Sequence, residues 1–250
     1  MGFHEIFSMI LALFLLLIAA SFARADEGVY TIYRTNTPLE IDGQLDELAW
    51  GAVPAVSKFV FPWWEEGEKE QTVAKILWDE QYLYVSFLCQ DAHIWGKHVE
   101  RDGPVYEDDC VEVFIAPNPK WPEAYFNIEI NVLSIFLDSF HPADTGIVVE
   151  DNWNTKGLRI ATSIAGTLND DEDEDRHWIL EVALPLSNFA QVAAHTPPLP
   201  GDVWHLNLNR LGGQTNFQYS QWQASQTEIP NFHVPADFGR VIFSQNISPF

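Results

Sequence analysis

The chain has 250 residues, a formal net charge of −23 and 10 tryptophans. Its length and apolar content suit one β-rich domain with a sizeable core. So acidic a chain repels phosphate backbones and anionic lipid surfaces, which argues against nucleic acid as a partner and leaves neutral ligands or cations.

Residues Ile10 to Ala20 form a short apolar run, and Ala23-Arg24-Ala25 fits a small-x-small cleavage site before Asp26. This predicts a secretory signal peptide over residues 1–25, cleaved near Ala25, and a secreted or periplasmic mature chain over 26–250. The segment before the run carries His4 and Glu5 and no Lys or Arg, so an uncleaved anchor is the alternative. No second long apolar stretch follows, so no membrane span is expected in the mature chain.

Next, residues 72–90 read as two strands around the turn Asp79-Glu80-Gln81. Strands are predicted over 109–116, over 124–139 as one long strand or a hairpin, and over 158–165 and 178–184. Pro185 to Phe189 reads as one short helical turn, 203–211 as a strand, and Val241 to Phe243 as the last. Short strands broken by turns rich in Pro, Gly and Asp predict an all-β, antiparallel, jelly-roll-like sandwich with short helical turns. Cys89 and Cys110 both lie in strands; an exported chain permits a disulfide, and two buried thiols are the alternative.

Side chains alternate faces along a strand. In 110–115 Val111, Val113 and Ile115 share one face and Cys110, Glu112 and Phe114 the other. Asn127, Glu129 and Asn131 oppose Phe126, Ile128 and Ile130, and Asn207 and Asn209 alternate with Leu206 and Leu208. The polar faces are built of amides and carboxylates without lysine. Such groups offer fixed donor and acceptor pairs that match vicinal sugar hydroxyls. An ordinary solvated sheet face is the plainer account. Tryptophans in turn-rich segments, at 63, 64, 95, 121, 153 and 222, suit either stacking on a sugar ring or plugging the sandwich edges.

The ordered pieces IDGQLDELAW, LWDEQYLYV, DDCVEVF, GTLND and PADFGRV span about residues 30 to 244. Together they resemble carbohydrate-binding module family 9, taken to include stand-alone family-9-like domains. The resemblance implies a β-sandwich that binds β-glucan or xylan chain ends or short sugars between two aromatic rings, with structural calcium. It implies Tyr106 as one ring, where family binders carry Trp, and Phe232 or Trp222 as the other. Glu112, Glu129, Asn131 and Asn209 are implied as hydroxyl partners, Glu129 standing where binders carry a basic residue, and Arg210, next to Asn209, is a further candidate. It also implies a glycoside hydrolase acting on the same polysaccharide as a partner, since such modules are commonly attached to one.

Other chemistries stay open. Glu112 and Glu129 could form the carboxylate pair of a glycoside-active enzyme. Oxygen-rich acidic loops suit calcium, with Asp108, Asp170 and Asp173 as candidate ligands, and a solvated loop is the alternative. A haem-binding domain of related sandwich fold would need histidines, because the only methionines are Met1 and Met9.

Overall fold

The computed structural model describes residues 29–143 and 153–247; the leader expected at 1–25 lies outside them. Segments with period-two alternation become strands because one of their faces finds a core. In chain order these are β1 Val29–Arg34, β2 Thr72–Trp78, β3 Tyr82–Gln90, β4 Cys110–Ala116, β5 Tyr125–Asn131 and β6 Phe136–His141. Then come β7 Arg159–Ala165, β8 His177–Pro185, β9 Val203–Gly212, β10 Gln218–Gln221 and β11 Gly239–Ile247. One helical turn, α1, covers Leu48–Gly51, and 3-10 turns occupy Val105–Glu107, Leu186–Phe189 and Pro235–Asp237. The long stretch at 124–139 is thus the β5–β6 hairpin.

The strands make one eleven-stranded sheet in the order β6-β5-β4-β9-β11-β1-β2-β3-β8-β7, with β10 added on β9. Strand β9 carries β4 along one edge; on the other it pairs first with β11 and then with β10. The sheet folds over there into the two layers of a sandwich. Val111, Val113 and Ile115 of β4 and Phe126, Ile128 and Ile130 of β5 share one buried core with Ile76, Val85, Phe87, Leu180 and Val182 of the other layer. Each such side chain contributes about 1.5–3 kcal/mol relative to exposure, so this interior holds the layers together.

One expectation is corrected: β1 runs parallel to both β11 and β2, so the sandwich is mixed rather than antiparallel. Parallel neighbours need a crossover of a dozen or more residues, and segment 35–71, containing α1, supplies it. One buried carboxylate fastens the start of that crossover. Glu181 of β8 accepts the N–H groups of Asp42 at 3.2 Å and Gly43 at 2.9 Å and the indole N–H of Trp50 at 2.8 Å. Gly43 has φ +82°, and a Cβ there would meet the Thr162 backbone carbon at 2.8 Å, so the IDG turn requires glycine. Cys89 and Cys110 are both free and buried, and burial pushes the Cys89 thiol up to about 12. Among the described residues no helix is long and apolar enough to cross a membrane.

Candidate functional site

The face of β4 and β5 turned away from the main core carries the amides and acids noted above. Alternation alone reads it as solvated, but Glu112 is 4% exposed, Glu129 6% and Asn209 fully buried. Chain outside the sheet folds over it. Val105, Phe232 and Phe238 pack there on Phe114, Tyr125 and Leu211 as a second buried cluster.

Register aligns one row across four strands: Glu129 faces Glu112, Glu112 faces Asn209, and Asn209 faces Gln221. Directly opposed residues have Cβ atoms about 4.5–5.5 Å apart, so the two carboxyl groups confront each other. Each is held by an amide. Asn127 Nδ2 donates to Glu129 Oε1 at 2.8 Å, and Asn209 Nδ2 donates to Glu112 Oε2 at 3.1 Å. Burial, and then the charge of Glu129, pushes Glu112 well above the usual carboxylate range. Burial raises Glu129 to about 7 against the Asn127 bond. Both shifts favour the protonated carboxyl. A carboxyl beside a carboxylate both donates and accepts, which suits hydroxyl ligands.

Over this floor opens a pocket of about 260 Å³, bounded by Tyr106, Tyr219, Phe232 and His233 together with the two acids. Tyr106 is 47% exposed beside buried Val105, the 3-10 turn fixing its place at the rim. Phe232 is buried against Trp63, with ring centroids 5.6 Å apart, and Tyr219, at 5.8 Å. Behind the pocket Tyr125 stacks on His141 at 4.3 Å, and its hydroxyl lies 2.8 Å from His233 Nδ1. Burial pushes His141 down to about 4 and lowers His233 as well, so both imidazoles are neutral at pH 7. Apolar ring faces over a floor of paired hydrogen-bonding groups fit a small, neutral, polyhydroxylated ligand.

The chain matches the family model "Carbohydrate family 9 binding domain-like" over residues 41–246. It belongs to that family. Solved structures agree at the level of fold. A candidate carbohydrate-binding protein of Bacteroides uniformis is 20% identical with a TM-score of 0.67, covering 86% of this chain and 99% of its own. A family 9 carbohydrate-binding module of Caldicellulosiruptor kristjanssonii in complex with glucose is 14% identical with a TM-score of 0.55, covering 88% of this chain and 99% of that one. The same module with cellotriose gives 0.55 and 14%, over 87% and 95%. The exoglucanase XynX of Acetivibrio thermocellus is 36% identical over 84 residues, 33% of this chain, and this chain spans 7% of its length.

Within the family 9 frame the sequence-expected residues separate. Tyr106, Glu112, Glu129 and Phe232 converge on the pocket. Asn209 lies beneath it as the amide that holds Glu112, its own Oδ1 buried without a partner. Asn131 is spent on structure: its Nδ2 donates to His98 O and Asp108 Oδ2, and its Oδ1 accepts from Leu133 and Ile135. Arg210 is corrected out of the site. Its register partner is Val111, so it points to the opposite face. There it is fully buried and bonded to Gln90 O and Asp91 Oδ2. Trp222 is likewise corrected: it is buried in the main core, its ring edge-on to Tyr30 at 6.3 Å. A Cβ on Gly239 would lie 2.5 Å from its ring, which explains the glycine of PADFG.

The calcium candidates do not gather. Asp108 is fully buried and already accepts from Asn131 and from the backbone and ring of His98. In the acidic loop Asp170 accepts from Glu172 N, while Asn169 and Asp175 turn inward to Gly96 and Ile94. Among the described residues no three His, Cys, Asp or Glu side chains are placed to hold a metal. Two pocket residues, Tyr219 and His233, escaped sequence reading. Tyr219 sits on the four-residue β10, too short for a period to register, and His233 adjoins Phe232 in NFHV without a pattern of its own.

Proposed function

We propose that this protein binds carbohydrate without transforming it, taking chain ends or short oligosaccharides of the β-glucan or xylan type. The observation that carries this is the amide-held Glu112–Glu129 floor under Tyr106, Tyr219 and Phe232. Aromatic faces stack on the C–H face of a pyranose while carboxyls take its hydroxyls. Membership in the family and the sugar complexes of its structural neighbours support the reading. Both acids rise from one sheet face, so they meet a ligand from the same side. Membership in a carbohydrate-binding family supports binding over catalysis by this acid pair. The leader motif at residues 1–25 supports action outside the cytoplasm, and the likeness of part of the chain to the exoglucanase XynX supports an enzyme working on the same polysaccharide as a partner.

The test is a glycan array on the chain from Asp26 onward, with calcium and with chelator, followed by calorimetry on the best ligand. Tyr106→Ala is expected to weaken binding about tenfold or more, about 1.4 kcal/mol, without changing thermal stability, since that ring is exposed. Absence of binding to every sugar would sink the proposal. Release of reducing ends from xylan or glucan would convert it into a catalytic one.

A further inference from the structure

Beside the pocket lies a second recess that the site so far described does not use. It encloses about 370 Å³ and is lined by Trp63, Trp64, Glu65, Glu66, Phe217 and Tyr219, with Pro230 at its border. Tyr219 and Pro230 line both hollows, so the two adjoin across them. The first pocket alone falls below the roughly 300–1,000 Å³ of ordinary ligand clefts; the pair together does not.

The recess is aromatic, exposed and held rigidly. Trp64 is 42% exposed and Phe217 61%. A continuous run of rings joins it to the first pocket: Phe232 to Trp63 at 5.6 Å, Trp63 to Tyr219 at 6.1 Å, and Tyr219 to Phe217 at 4.9 Å. Trp63 is fixed by its indole N–H to Thr227 O at 2.9 Å, and Lys69 Nζ stands 4.2 Å from the Trp64 ring. The two segments that carry the recess are fastened to each other. Asn216 Nδ2 donates to Glu68 O at 2.9 Å, Gln218 Nε2 donates to Glu70 Oε2 at 2.9 Å, and Glu70 N donates to Gln218 Oε1 at 3.1 Å. Gly67, at φ +92°, passes so close that a Cβ would meet Asn216 Oδ1 at 2.6 Å. Exposed rings on a braced platform, with free carboxylates at Glu65 and Glu66, match the stacking faces and hydroxyls of a neutral sugar and repel an anionic chain.

We infer that the Trp63–Trp64–Phe217 recess is a further sugar subsite, taking the continuation of an oligosaccharide whose terminal ring occupies the Glu112–Glu129 pocket. This rests on the carbohydrate reading of the first pocket and extends it: the ligand is a chain several rings long, lying across Tyr219 and Pro230. The experiment is calorimetric titration with cello- and xylo-oligosaccharides of one to six units, on the wild type and on a Trp64→Ala/Phe217→Ala double variant. Both rings are exposed, so the variant is expected to fold; circular dichroism and its melting temperature check this. In the wild type the dissociation constant is expected to fall about tenfold or more from two units to four. The double variant is expected to lose that gain while keeping wild-type affinity for the disaccharide. Disaccharide binding with no gain on lengthening, or a gain that survives in the double variant, overturns the subsite and leaves the first pocket standing. Absence of binding to every member overturns the first pocket and the subsite together.

Discussion

Glu129 keeps its proton in the folded protein up to about 7, whereas an unfolded glutamate releases it near 4.5. Across that window the folded state binds more protons, so Glu129 makes stability fall as pH rises. His141 works in the opposite sense. Its folded value of about 4 lies below 6.5, so stability from it rises with pH over 4 to 6.5. Comparing Glu129→Gln with the wild type by urea denaturation reads this acid together with its effect on Glu112. The variant is expected to gain stability relative to wild type as pH rises from 4.5 to 7, with slopes differing by on the order of 1 kcal/mol per pH unit. Parallel profiles would show that burial does not raise Glu129 in the folded state. Alternation in the sequence places Glu112 and Glu129 on one face. It does not reveal that the face is covered, because most of the cover, Phe232 and Phe238, lies more than a hundred positions from Glu112 and Glu129. Arg210 is a different case: it adjoins Asn209 in sequence, but the same alternation places its side chain on the other face.

At the scale of elements, the acidic motifs that carry the family likeness mostly shape turns. Asp79 accepts from Gln81 N and Tyr82 N at 2.7 Å each and from the Tyr84 hydroxyl at 2.6 Å, closing the β2–β3 hairpin. Asp109 accepts from Trp95 N at 2.6 Å and Gly213 N at 2.6 Å, tying two loops to the start of β4. Glu181 does the same for the crossover. Its replacement by Ala leaves three donors without an acceptor and is expected to cost about 3 kcal/mol or more. In a domain of this size that is a fall in melting temperature of about 6–12 °C. A shift within 2 °C would mean that water or a neighbour takes over the bonds. Strand positions were legible because each long strand has one apolar face against a single core. Strand β10, and β1 with its parallel pairing, were not. The first is too short for a period, and the second depends on how far the crossover carries the chain.

Across the whole molecule, Arg210 joins β9 to the far end of β3 and to the segment before β2. Its Nη1 donates to Gln90 O at 2.6 Å and its Nη2 to Asp91 Oδ2 at 2.9 Å, with Glu70 Oε2 at 3.6 Å. Arg210→Met leaves buried acids uncompensated and is expected to lower stability by about 3–5 kcal/mol. Ligand affinity of the folded fraction should be unchanged, since the side chain lies on the face opposite the pocket. A selective loss of affinity at unaltered stability would return Arg210 to the site. The chain that covers the β4–β5 face closes over Phe114 and leaves a pocket beside Tyr106, with the nearly buried Glu112 and Glu129 at its floor. The most direct test of that central claim is a backbone-amide chemical-shift titration with cellotriose and with xylotriose. The account predicts that the largest shifts fall on Tyr106, Glu112, Glu129, Tyr219 and residues 231–233. Saturable shifts confined to other regions, such as the loop at 169–175, would contradict it.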